Sequence, residues 1–493
     1  MLSIKHIGGI LAAALLLSAC DFGVLDKAPP DTINTENFFV TEADAVAAVN
    51  GAYQPLQWPK LYNMRMWTTD IVAGNSVVGA GGGSDGIETK NLADFVALSD
   101  NPGVLDIWRG PWPGILRANT VLARVPGMDI DPQLKDRIVG EARFLRALYY
   151  FNLVRFFGDV PMITEPQSPG DDLRPPRAPA EAIYSEVIIP DLEAAVELLP
   201  PRAAYAASDA GRASKGAAAG LLAEVYLTRA QWQRVVDLAS QVEGLGYDLH
   251  DDYAANFDPS RENGVESLFE VQYHGKTSFD FWSNENQAAW HSTFMGPRNS
   301  NMVAGAWGWN QPTQEFADAY EEGDLRKDVT ILYEGGPAFD GQAYDPDYSG
   351  TGYNVRKFLV SKSVAGSYDE SPLNFPILRF ADVLLMKAEA LNELGRTAEA
   401  EEPLNRVRRR AGLDDVRGLS QNAFREAVLH ERRMELAFEG KRWFDLIRVD
   451  GGQYGLDFLH AIGKVNASRN HLRFPIPQAD IDANPNLTQN PGY

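Results

Sequence analysis

Apolar residues in this chain recur at helical spacing in several long stretches and lose that spacing in two broad intervals. Residues 215–228 are dominated by Ala, Leu and Val. A turn at Arg229-Ala230-Gln231 follows, then a second periodic stretch over 232–242. Residues 379–394 repeat the design, turn at Gly395-Arg396 and continue over 398–411. In both cases alanines occupy positions where two helices must approach closely, and bulky residues fill the groove towards the next pair.

The pattern is that of tetratricopeptide-like helix pairs, whose period is about 34 residues. Residues 141–157 with 181–199 form an expected third pair across a Pro-rich connection, and 424–447 begins a fourth. Gly158, Gly246, Gly395 and Gly412 fall where helix C-termini belong. An earlier helix starts at Thr41 as N-cap, with Asp44 completing an imperfect capping box and Ala45, Val46, Val49 and Tyr53 on its apolar face. Intervals 58–113 and 251–375 separate the pairs. They are rich in Gly, Asn, Asp, Ser and aromatics, and only 267–273 alternates like a short strand. The expected class is therefore mainly α: a tetratricopeptide-like helix-pair scaffold with irregular, loop-rich inserts and a few short strands. Binding residues concentrate on loops held by such a scaffold.

The N-terminus changes where this body is placed. Lys5 precedes an apolar or small run, Ile7 to Leu17, closed by Ser18 and Ala19. These are the parts of a signal peptide, and the run is too short for a membrane span of ~20 apolar residues. Cys20 follows at once and is the only cysteine, so no intrachain disulfide is available. Leu17-Ser18-Ala19-Cys20 resembles the lipobox of bacterial lipoproteins, which implies lipidation of Cys20. An ordinary signal peptide with a chance cysteine is disfavoured, because the sole Cys falls at the cleavage point. The expected division is a signal peptide over 1–19, a lipidated tether over 20–36 kept extended by Pro29-Pro30, and one domain over 37–493. The net charge of −22 repels phosphate and excludes nucleic acid as the expected partner. Neutral glycans and partner proteins remain open.

Four of the ten tryptophans, Trp282, Trp290, Trp307 and Trp309, crowd into the second insert with Asn284, Asn286, Gln287, His291, Arg298, Asn299 and Asn301. A pyranose offers an apolar face that lies on an aromatic ring, while amides and charges bond its hydroxyls. Trp67 and Asp70, with Asn75, lie in the other insert and are expected to face the same cleft. Trp67, Asp70, Trp282, Trp290, Trp307 and Trp309 are thus the candidate ligand contacts. The competing reading is that these indoles pack the inserts onto the scaffold. Trp108, Trp232 and Trp443 lie within scaffold stretches and belong to the core.

Glu431, Glu435 and Glu439 stand at helical spacing among Arg432, Arg433 and Arg442. Paired carboxylates serve glycoside hydrolysis. Arginines at this density hold carboxylates ionised and spoil a general acid, so an ion-pair network joining the last helices is the favoured reading. The seven histidines never stand at i, i+4, and with the one thiol assigned to lipid no zinc site is expected. No nucleophile elbow or phosphate loop occurs, and no cofactor is called for. Asp345-Pro-Asp347-Tyr-Ser349-Gly350 reproduces the first half of a calcium loop, but Arg356 stands where the bidentate Glu belongs, so a polar turn is favoured.

Several long stretches together resemble the SusD/RagB family. They are Glu141 to Pro161 (EARFLRALYYFNLVRFFGDVP), Leu378 to Asn392 (LRFADVLLMKAEALN), Leu404 to Gly412 (LNRVRRRAG), His430 to Arg448 (HERRMELAFEGKRWFDLIR) and the ending Ile476 to Tyr493. The resemblance runs from the lipobox to the last residue. It implies a helical scaffold on the outer face of the outer membrane. It also implies a non-enzymatic lipoprotein that lies over a TonB-dependent transporter of the SusC/RagA type and delivers oligo- or polysaccharides, or sometimes peptides, into it. The alternatives are a peptide receptor of the same fold, a surface glycoside hydrolase and a structural lid that touches only the transporter.

Overall fold

The computed structural model describes residues 38–79, 84–168, 170–275 and 283–493. Cys20, the signal stretch and Trp282 lie outside them. The principal helices are α1 (Glu42–Tyr53), α2 (Trp112–Arg124), α3 (Pro132–Phe157), α4 (Ile189–Leu198), α5 (Lys215–Thr228), α6 (Trp232–Glu243), α7 (His291–Met295), α8 (Phe380–Glu393), α9 (Thr397–Arg410), α10 (Gln421–Glu435) and α11 (Arg442–Arg448). Successive scaffold helices pack in a row: α2 on α3, α3 on α4, α4 on α5, α5 on α6, α6 on α8, and α8 on α9 and α10. The 251–375 insert leaves this row after α6 and returns at α8, so the scaffold stays continuous beneath it. No described helix is long and apolar enough to cross a membrane.

The expected pairs α5/α6 and α8/α9 are found within two residues of their expected ends. Thr41 caps α1 with both halves of the capping box in place: its hydroxyl accepts from Asp44 N, and Asp44 Oδ2 accepts from Thr41 N at 2.7 Å. Gly158, Gly246, Gly395 and Gly412 all hold positive φ just past helix ends. The strand expected at 267–273 is β2 (Ser267–Val271), antiparallel to β4 (Phe375–Arg379). Gly220 of α5 lies under this ribbon, where a Cβ would sit 2.6 Å from Leu378 and 2.7 Å from Leu268.

Two features depart from these expectations, the start of α3 and the presence of α2. Helix α3 begins at Pro132, nine residues before the expected start, because Asp131 caps it by accepting from Leu134 N at 2.9 Å. Its first turns are polar and largely solvent-facing, so they carry little apolar signal. Helix α2, which packs against α3, has no counterpart in the expected pairs. The stretch 424–447, expected to begin a fourth pair, holds two helices. It breaks between α10 and α11, where Phe438 and Gly440 adopt left-handed φ of 63° and 72°.

From Phe144 to Phe157 every residue of α3 is buried, which makes it the central helix of the core. Its buried charged members are paired with opposite charges. Glu141 pairs with Arg212 at 3.0 Å, Arg146 with Asp191 at 2.7 Å and Arg155 with Glu224 at 2.8 Å.

The insert is locked down by a second buried layer, made of ions. Arg379 reaches Glu266 at 2.5 Å, Glu435 at 2.8 Å and Glu439 at 2.6 Å. Glu435 also meets Arg410 at 2.6 Å and Arg326 at 3.2 Å, Glu431 meets Arg326 at 2.5 Å and Arg408 at 3.0 Å, and Glu439 meets Lys357 at 2.6 Å. Glu266, Arg326 and Lys357 belong to the insert; the rest lie on β4, the last scaffold helices and the turn between α10 and α11. The favoured ion-pair reading is therefore right in kind. Its partners are not Arg432, Arg433 and Arg442. Adjacent helix positions do not face each other, so Arg432 turns to Asp382 and Asp445, and Arg433 to Glu315 and Asn75. Arg442 instead lies over the rings of Tyr454 and Phe458.

Burial alone would raise Glu435, but Arg410, Arg379 and Arg326 together hold it well below the ordinary carboxylate range. Asp445 is likewise brought down to about 2 by Arg432 and Arg448 against its burial. Groups depressed in this way stabilise the fold fully above the unfolded carboxylate pKa, and that stability is lost as pH falls through the folded values. Arg379→Met removes one cation from each of three buried carboxylates, Glu266, Glu435 and Glu439, leaving them with Arg410, Arg326 and Lys357 alone. It should lower the unfolding free energy by about 3–5 kcal/mol at pH 7. The deficit should shrink near pH 4, where these carboxylates take up protons, as urea titrations at the two pH values will show.

Candidate functional site

The two inserts meet through a short ribbon. Strand β1 (Ser76–Val78) pairs antiparallel with β3 (Asn310–Pro312), with Val77 opposite Gln311. Gly79 N donates to Trp309 O at 3.0 Å, and Thr313 N to Asn75 O at 3.1 Å. Beyond the ribbon, Arg298 of one insert faces Asp85 of the other at 3.7 Å. Residues 75–79 of the first insert and 309–313 of the second are therefore joined directly. The candidate contacts themselves are arranged differently from the expectation.

Phe294 on α7 gathers four of the six candidate contacts or their neighbours. Its ring centroid lies 4.8 Å from Trp307, 5.3 Å from Trp309, 5.4 Å from Trp290 and 6.1 Å from Trp67. Three of these indoles are internal. Trp67 is 0% exposed, and its Nε1 donates to Asn63 O at 3.0 Å. Trp290 stacks on Phe294 at 19° and is buried. Trp309 lies under the first insert, its ring 2.7 Å from where a Cβ on Gly86 would stand. These three are packing residues, which is the competing reading of the tryptophan cluster: an indole walled in by protein has no face to offer a sugar.

Asp70 is also internal. Its carboxylate accepts from Gly440 N at 3.0 Å, Phe438 N at 3.2 Å and Asn75 Nδ2 at 3.0 Å. Burial lifts its pKa to about 6 despite these three donors. The carboxylate thus fastens the first insert to the left-handed turn between α10 and α11. It does not face a cleft. His291 is likewise enclosed, stacked on Phe375 at 4.8 Å, and burial pushes it down to about 4, so it is neutral at pH 7.

Trp307 remains at the surface, half-buried. Tyr368 lies beside it with centroids 6.2 Å apart at 33°, and is 44% exposed. The two rings come from loops fixed at their roots. Trp307 N donates to Thr293 O at 2.8 Å, and Thr293 Oγ1 donates to Tyr368 O at 2.7 Å. Gly305, at φ 82°, allows the loops to close, since a Cβ there would strike Thr293 and Tyr368. The same insert also exposes the polar residues Arg298, Asn299 and Asn301. Asn301 is steadied by Lys362 Nζ on its Oδ1 and by Gln342 Nε2 on its carbonyl at 3.3 Å. Tyr368 escaped the sequence reading because it stands alone in a polar loop with no aromatic neighbour along the chain.

The carboxylates weighed for hydrolysis, Glu431, Glu435 and Glu439, are closed inside the ion network and reach no surface. The calcium-like loop is a polar turn anchored to β3. Asp345 Oδ1 accepts from Asp347 N at 3.0 Å, and Gly350 N donates to Gln311 Oε1 at 3.0 Å. Among the described residues, no group of three or more His, Cys, Asp or Glu side chains is placed to hold a metal ion.

With this geometry in hand, known proteins place the chain. Residues 265–493 match the SusD family, and residues 24–227 match the family described as "Starch-binding associating with outer membrane". SusD-like protein P2 of Formosa agariphila is 30% identical over 507 residues, covering 97% of this chain and 98% of that protein. A solved laminarin-binding SusD-like protein has a TM-score of 0.78 at 29% identity, covering 92% of this chain and 100% of that one. Surface glycan-binding protein A from Bacteroides fluxus has a TM-score of 0.79 at 26% identity, covering 92% and 100%. The chain belongs to the SusD/RagB family.

The role assigned to Asp70 is testable. Asp70→Ala leaves three buried donors without an acceptor and should cost about 3 kcal/mol or more. Denaturant titration will measure it, and a loss below about 1 kcal/mol would contradict the assignment.

Proposed function

We propose that this protein is a non-catalytic glycan receptor of the outer membrane. In this reading residues 1–19 are removed, Cys20 carries the lipid, residues 20–36 form the tether, and the domain beyond holds oligo- or polysaccharides for a TonB-dependent transporter of the SusC/RagA type. The observation that carries the proposal is the Trp307–Tyr368 pair: two rings on loops fixed at their roots, one half-buried and one exposed, in an insert that also exposes Arg298, Asn299 and Asn301. Such a surface suits pyranose stacking with hydroxyls bonded at the edges. The laminarin-binding and glycan-binding relatives support it, as does the enclosure of the Glu431–Glu439 carboxylates, which leaves that group no part in hydrolysis.

Laminarin in an affinity gel is the first probe, followed by calorimetry with laminarihexaose. Trp307→Ala and Tyr368→Ala should each weaken binding about tenfold, roughly 1.4 kcal/mol, with circular dichroism unchanged. No reducing ends should be released on prolonged incubation. Retention by both variants equal to the wild type would contradict the site, and sugar release would contradict the non-catalytic reading.

A further inference from the structure

A second hollow, far from this aromatic surface in its makeup, has a different chemistry. It has a volume of about 540 Å3 and is lined by the C-terminal end of α3, the end of α5, α11 and the segment 469–491. No lining residue comes from either insert. Four arginines line it, Arg155, Arg448, Arg469 and Arg473, and no aspartate or glutamate does. That composition stands out in a chain with 67 acidic and 45 basic residues.

Two of the four are neutralised from behind. Arg155 is paired with Glu224 at 2.8 Å and sandwiched between the rings of Phe151 and Phe444. Arg448 is paired with Glu389 at 2.5 Å and Asp445 at 2.7 Å. The other two are not neutralised. Arg469 donates to the amide oxygen of Gln453 at 2.9 Å, and among the described residues neither it nor Arg473 has a carboxylate within ion-pairing distance. Arg473 is nevertheless seated. It lies across Gly158, where a Cβ would stand 2.8 Å from its Cζ, so the glycine makes room for the guanidinium. Buried Tyr184 also lines the hollow, and Arg155, Arg229 and Arg473 all act on its hydroxyl, opposing the rise that burial imposes. The Nε of Arg155 is buried with no hydrogen-bond acceptor.

We infer that this hollow is a binding site for an oxyanion carried on a small polar ligand. Guanidinium groups present paired donors that match the oxygens of a carboxylate, sulfate or phosphate. Two of them, Arg469 and Arg473, line one acid-free hollow without a counter-charge, an arrangement that is repulsive until an anion enters. The volume lies in the ~300–1,000 Å3 range of small-molecule pockets. Exposed Asn470 on the wall provides an amide for the neutral part of such a ligand. The charge of −22 over the whole chain repels anions in general, so this local reversal selects where one is held.

The test is calorimetry on the full folded protein with glucuronate, inorganic sulfate, inorganic phosphate and, as the uncharged control, glucose. The site predicts saturable binding of at least one anion, none of glucose, and weakening with added sodium chloride. Arg473→Gln and Arg469→Gln, at exposed positions, should each reduce that binding about tenfold with the fold intact. Trp307→Ala should leave it unchanged, which separates this site from the glycan surface. Tighter binding of glucuronate than of the inorganic ions identifies a sugar-borne acid, and equal or weaker binding identifies a free anion. Absence of saturable binding by all three anions, or binding equal in both arginine variants and the wild type, would overturn the inference.

Discussion

The pairing of Arg379 with Glu266, Glu435 and Glu439 is the constraint from which the arrangement of the molecule follows. A charge taken out of water costs several kcal/mol unless it is closely matched, and three carboxylates around one guanidinium are matched only in one geometry. Arg326, Arg408, Arg410 and Lys357 complete the set. Since Glu266, Arg326 and Lys357 come from the loop-rich insert, a small slip of that insert would strand several buried ions at once. Irregular chain is thereby held almost as firmly as the helices beneath it.

That rigidity reaches the surface through two layers. Lys357 and Glu266 fix the base of the insert, and above them Phe294 binds Trp67, Trp290, Trp307 and Trp309 into one aromatic layer. The first insert is drawn into the same body by Asp70, whose carboxylate closes the turn between α10 and α11, and by Asn75, which accepts from Arg433 at 2.9 Å. Trp307 and Tyr368 are the outer faces of this layer. A ring held in place before the ligand arrives loses little freedom on binding, so more of the stacking energy is retained as affinity.

Much of the scaffold was legible in the sequence because its signals are local. Small residues at helical spacing in 215–228 and 379–394, the capping pair Thr41/Asp44 and the glycines at helix ends each act within a few residues. The start of α3 was hidden because its first turns face solvent, and the break before α11 because it depends on a carboxylate more than 360 positions away, at Asp70. The density of charge around 431–442 was readable as an ion network, but its partners were not, since Arg326 and Arg379 arrive from distant segments. The tryptophans were the hardest to assign. Composition reveals that indoles crowd into one insert, but whether a ring looks inward or outward is settled by neighbours such as Gly86, which lets Trp309 lie beneath the first insert. Tyr368 had no local signal at all.

The central claim is that buried charge holds the proposed binding face in a single preformed arrangement. Hydrogen exchange read by mass spectrometry tests it most directly, comparing wild type with Glu435→Gln, which removes the anion shared by Arg326, Arg379 and Arg410. The account predicts faster exchange at the amides of Trp307 and Trp309, which donate to Thr293 and Phe294, while α5 and α6 keep their protection. Unchanged protection across residues 291–313 in the variant would contradict it.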